Sequence, residues 1–151
     1  MKPLRFLLGA ATLALAAQPS FAQQSSENPG ATADITGRWS FLSDPTYPGC
    51  SLSGEVFISS TPDENRFTCT VVANDVCPGV WSYRAEETCV AERDGDQLTI
   101  ASRVLQVKPS TGNYLPDDFA VTIISGSRMT GDLVSALVTD VEFFRGDTPI
   151  G

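Results

Sequence analysis

Histidine is absent from the chain. That removes the Ser-His and Cys-His nucleophile pairs and any metal site built on imidazole. The four cysteines, Cys50, Cys69, Cys77 and Cys89, contain no C-x-x-C pair, the spacing zinc sites favour. No glycine-rich phosphate cradle is present, since Ser125-Gly126-Ser127 reads only as a turn. No run of ten or more residues shows a helical period with caps. Basic residues are scarce, 10 against 18 acidic. A phosphate backbone or an anionic membrane surface is repelled by that balance, which argues against nucleic acid as a partner. The apolar run at 6–17 is about 12 residues long, short of the ~20 a membrane-spanning helix needs.

That run reads as part of a leader. Lys2 and Arg5 supply a positive start, and Pro19 precedes a small-x-small cleavage site at Ser20-Phe21-Ala22. Residues 1–22 are therefore expected to be a signal peptide that delivers the chain to the periplasm or the exterior. No cysteine near the cleavage site offers a lipid attachment point. The remaining 129 residues suffice for one domain with a sizeable core. Without the leader, 8 basic residues face 18 acidic ones, a net charge near −10. Such a surface serves solubility, or steers a cationic ligand or basic protein. In an exported chain an even cysteine count predicts two disulfides. Residues 23–34 are polar, contain Pro29-Gly30 and read as a flexible tether.

From residue 35 onward, short alternating runs follow one another. The first, 35–41, puts Ile35, Gly37, Trp39 and Phe41 on one face and Thr36, Arg38 and Ser40 on the other. The glycine two places before the tryptophan suits close approach of a backbone or ring. Further strands are predicted at 51–59, 66–72, 81–93, 97–107, 119–124, 128–134 and 137–145. Pro78-Gly79 suits a type II turn, and Asp94-Gly95 is the strongest hairpin signal in the chain. Residues 147–151 form a tail.

Eight short strands with hairpin-length links predict an all-β domain over 35–146, an antiparallel up-and-down barrel. A two-sheet sandwich is the alternative. Outward faces of Thr, Ser, Arg and Glu do not suit a lipid belt. With the third turn centred on Pro78-Gly79, Cys69 falls opposite residue 88, one bulge from Cys89. With the second turn centred on residues 62–63, Cys50 falls beside residue 75, near Cys77. Cys50–Cys77 and Cys69–Cys89 are the favoured pairs, with two other connectivities open.

Gly37-Arg38-Trp39 at the head of eight short strands resembles the calycins: lipocalins, avidins and bacterial metalloprotease inhibitors. In lipocalins, an arginine near the end of the last barrel strand covers the tryptophan of G-x-W. The resemblance implies that Arg145 stacks on Trp39 and closes one end of the barrel.

Chemistry in this chain has to rest on carboxylates. Glu87 falls on the same face as Trp81, Tyr83, Ala85 and Cys89, where a carboxylate must be paired, have a raised pKa or line a wet cavity. The more ordinary outcome is that a bulge beyond Ala85 turns it outward beside Glu86. Asp94, Asp96, Asp117 and Asp118 offer oxygen ligands for calcium, although Asp-Gly-Asp in a hairpin is ordinarily a turn. Neither a metal nor another cofactor is expected. Trp39, Trp81 and Tyr83 line an apolar pocket or, more commonly for such residues, fill the core. The functional expectation is a non-catalytic binding protein that takes a small apolar ligand in the barrel mouth. The alternative is an inhibitor that meets a protein partner through its loops and N-terminal tether. A hydrolase using paired inward acids is a third class.

Overall fold

The computed structural model describes residues 29–45, 47–110 and 112–146. The expected leader, its cleavage site, residues 23–28 of the tether and the tail lie outside the described residues.

Eight strands follow one another, each antiparallel to the next: β1 (Gly37–Ser43), β2 (Ser51–Ser60), β3 (Arg66–Cys77), β4 (Trp81–Asp94), β5 (Gln97–Lys108), β6 (Asp118–Ser125), β7 (Arg128–Val134) and β8 (Val138–Phe144). β8 returns to β1, so the sheet closes as an up-and-down barrel and not as a sandwich. No helix occurs among the described residues. The period-2 pattern explains the interior: Trp39 and Phe41 on β1, Phe67 to Ala73 at alternate places on β3, and Val141 and Phe143 on β8 are all buried. Phe41, Phe119 and Phe143 meet with ring centroids 5.1 to 5.5 Å apart. The core is thus filled by aromatic packing through its middle.

One end is plugged. The Arg145 guanidinium lies 4.2 Å from the centre of the Trp39 ring, and its Nη2 donates to the carbonyls of Asp34 and Thr36. Trp39 Nε1 donates to Ile35 O at 2.9 Å. Residues 29–34 of the expected tether lie on this end, where Arg93 donates to the carbonyls of Gly30 and Ala33. Gly37 stands here with φ of 103° and nothing within 4 Å of where a Cβ would be. Its glycine is required by backbone conformation, not by the close approach expected from the sequence. Close approach occurs instead at Gly54, where a Cβ would sit 2.1 Å from Val72 O and 2.8 Å from the Phe41 ring.

The disulfides are Cys50–Cys77 and Cys69–Cys89, but the register differs from the expected one. Cys77 pairs with Trp81 across a three-residue link, which sets Cys69 directly opposite Cys89 without a bulge. Ser51 faces Val76, so Cys50 meets Cys77. β3 also runs on through Asn74-Asp75, where a loop was expected.

The opposite end is a mouth, framed by the links 44–50, 78–80, 109–117 and 135–137. β4 pairs with β5 as far as Lys108, whereas β5 pairs with β6 only over Gln97 to Ile100. The outer half of β5 therefore parts from β6, and the 109–117 link crosses the opening.

Candidate functional site

The mouth holds a cavity of about 370 Å³. Trp81 and Tyr83, successive inward positions at the head of β4, form one wall. Trp81 Nε1 donates to Asp75 Oδ1 at 3.0 Å, which fixes the indole against β3. Tyr47 meets Trp81 edge-on at 6.2 Å, and Tyr114 meets Tyr83 the same way at 6.4 Å. Leu52 and Leu133 supply apolar floor. Trp81 and Tyr83 thus line a cavity, while Trp39 fills the core at the plugged end. The four expected ligand-site residues do not form one cluster: Trp81 and Tyr83 line the cavity, Trp39 is at the far end, and Glu87 is not in the lining.

Glu87 points inward and is 1% exposed. The bulge expected to turn it outward exists, but on the partner strand. Glu86 faces Gln106 and Glu87 faces Val104, so Leu105 of β5 is the extra residue and the alternation of β4 is unbroken. The backbone N–H of Asp117 donates to Glu87 Oε2 at 3.3 Å, whereas Oε1 has no hydrogen-bond partner. Burial, then the nearby Asp117 charge, pushes the Glu87 carboxyl up to about 8; the Asp117 N–H and the neighbouring Ser102 hydroxyl offset part of this.

Asp117, buried in the last residue of the mouth link, lines the cavity. Its Oδ2 accepts the Tyr114 hydroxyl at 2.8 Å. Burial raises its pKa to about 6, against the lowering effect of Tyr114 and Ser135. The Tyr114 phenol is raised by burial and then by Asp117, so it stays protonated and donates. Asp118 points elsewhere, its Oδ1 accepting the Ser102 N–H at 2.7 Å. Asp94 and Asp96 flank the β4–β5 turn at the plugged end, so the four aspartates weighed for calcium do not converge. Among the described residues no three metal-type ligands come together.

Tyr47, Asp75 and Tyr114, which were not expected at a ligand site, complete the mouth together with Asp117, which the sequence suggested only as a calcium ligand. The aromatic and the acid three apart in an otherwise Pro/Gly/Ser/Thr-rich link were the only signal for Tyr114 and Asp117. A larger hollow of about 650 Å³ lies on the outer wall beside Leu42 and Phe144. Its four acids, Asp44, Asp132, Asp140 and Glu142, are all exposed.

Two disulfides fit an oxidising compartment, and among the described residues no helix is long and apolar enough to cross a membrane. The closed eight-stranded barrel is compatible with a calycin-like fold. In comparisons with known proteins, neither a protein-family model nor a curated protein matches the chain.

Proposed function

We propose that this is an exported, non-catalytic binding protein that takes a small apolar ligand into the barrel mouth. The observation that carries the reading is the cavity of about 370 Å³ walled by Trp81, Tyr83 and Tyr114, at the end opposite the Trp39–Arg145 plug. That volume lies within the range of small-molecule sites, roughly 300–1,000 Å³, and aromatic walls with a few polar groups are their usual lining. Tyr47, Leu115 and Leu137, each about half exposed, rim the opening and offer an apolar approach. Binding accounts for the acids better than catalysis does, because Asp117 Oδ2 is engaged by Tyr114 and Glu87 sits behind it. The leader at 1–22 and the two disulfides support export.

The test is a titration with N-phenyl-1-naphthylamine, an uncharged apolar fluorophore. Binding in the mouth brightens the probe and quenches tryptophan emission, and the quenching falls in Trp81→Phe. No change in either signal overturns the reading. The same exposed rim favours, as a second reading, a protein partner that caps the mouth loops. The tether contributes less to that reading than its length suggested, because residues 29–34 are bound to the far end.

A further inference from the structure

Resting on the mouth as a ligand site, we infer that it selects a small molecule carrying an ammonium group on an aromatic or aliphatic body. The cation would sit at Asp117 and Asp75 and the body between the rings of Trp81, Tyr83 and Tyr114.

The reasoning begins with what these acids touch. Asp75 and Asp117 both line the cavity, and no lysine or arginine is among the described residues that do. Their donors are neutral: the Trp81 indole for Asp75 and the Tyr114 phenol for Asp117. The four ion pairs found among the described residues, Arg38–Glu55, Arg66–Glu92, Arg84–Glu86 and Arg128–Glu142, all have both partners substantially exposed, away from the cavity. Among the described residues, the arginines in ion pairs therefore meet acids on the outer surface, and no arginine or lysine lines the mouth beside Asp75 and Asp117.

A second observation is independent of the lining acids. Glu87, 1% exposed, keeps Oε1 without a partner while its other oxygen holds the backbone of Asp117. Glu87 is not itself in the cavity lining; it lies directly behind Asp117, so the acid at the cavity wall is backed by another buried carboxyl with an unpartnered oxygen. Native interiors rarely leave such an atom unsatisfied without a reason.

The rings act in the same direction. An aromatic face carries negative partial charge, so two tyrosines and a tryptophan around carboxylates make a site that attracts a cation more than a neutral molecule. Partial burial strengthens each of these attractions relative to water. An anion of the same shape meets both the carboxylates and the ring faces and is rejected.

The experiment uses the oxidised, exported protein and three probes with one ring system: 1-naphthylmethylamine, 1-naphthylmethanol and 1-naphthoate, each titrated by calorimetry at pH 7.5. The amine is expected to bind about tenfold tighter than the alcohol, with naphthoate weakest. Asp117→Asn is expected to shrink the amine-to-alcohol ratio to within about threefold, and Asp75→Asn, at a half-buried rim position, to reduce it as well. Equal binding of amine and alcohol, or tightest binding of naphthoate, overturns the selectivity while leaving the mouth as a ligand site. Failure of all three probes to bind overturns both.

Discussion

The backbone N–H of Asp117 reaches Glu87 Oε2 at 3.3 Å and ties the link over the mouth to the inner face of β4. This single contact places two buried acids against each other; the hydrogen bond itself favours ionised Glu87, and burial outweighs it. Glu87 is raised from 4.5 to about 8 and Asp117 from 3.8 to about 6, each chiefly by burial. Both groups hold protons more tightly in the folded chain than in the unfolded one.

A pH dependence follows with a definite sign. Between about pH 4 and 8 the folded protein binds more protons than the unfolded chain, so stability falls as pH rises through that window. The loss is on the order of 4 kcal/mol for Glu87. Denaturant unfolding at pH 5 and pH 8.5, disulfides intact, should show the barrel more stable at the lower value. Glu87→Gln should flatten most of that slope and be more stable than the parent at pH 8.5. A parent profile that is flat or rises with pH contradicts this account of the pair.

Packing at Gly54 gives a sharper steric prediction. The Phe41 ring lies where a side chain on Gly54 would go, and Val72 O closes the remaining space at 2.1 Å. Gly131 on β7 is similarly crowded, with Ala120 O at 2.2 Å and Val121 Cα at 2.6 Å. Backbone atoms cannot swing aside as side-chain tips can. Gly54→Ala and Gly131→Ala should each cost about 2–3 kcal/mol, the upper part of the range for overpacking. Gly126→Ala, at a turn with open space around it, should be close to neutral in the same denaturation assay.

Strand number and direction were legible because apolar residues alternate with polar ones through Phe67, Cys69 and Val71 and again through Phe119, Val121 and Ile123. The disulfide pairs followed from the same alternation, although the turn centres were misplaced by one residue or less. A hairpin's register depends on whether its link has two or three residues, and Cys77-Pro78-Gly79-Val80 accommodates either. The fate of Glu87 was less accessible. Its orientation depends on which of two paired strands takes the extra residue, and nothing in β4 alone reports a bulge at Leu105 of β5. Tyr114 and Asp117 were least legible of all, since the path of a link across a mouth is set by the contacts it finds there.

The plug at the far end makes a prediction that separates stability from binding. Arg145 covers the buried Trp39 ring and satisfies two carbonyls of the incoming chain. Arg145→Ala should lower stability by about 1–2 kcal/mol, and Trp39→Ala, which leaves a large cavity, by about 3–5 kcal/mol. Neither residue lines the mouth. Arg145→Ala should therefore retain the probe response at a temperature where it is still folded. Loss of that response with the fold intact, checked by circular dichroism, would show that the two ends are coupled.

The two disulfides close loops of similar length, with sequence separations of 27 and 20. Loop-closure entropy alone assigns each about 3 kcal/mol, so replacing either pair by serine or alanine should cost a comparable amount. Their positions differ. Cys69–Cys89 bridges β3 and β4 six residue pairs below the Asp75–Tyr83 level, where Phe67 and Ala91 lie beside it in the core. Cys50–Cys77 joins the 44–50 link to the end of β3, beside Tyr47 and Trp81, which meet across the mouth. Removing it frees that link and with it one wall of the cavity. At a temperature where both variants are folded, loss of Cys50–Cys77 should weaken probe binding several-fold more than loss of Cys69–Cys89 does. Equal binding by the two variants would mean that the Tyr47 wall contributes nothing to the site, and would confine it to the β4 face and the 109–117 link.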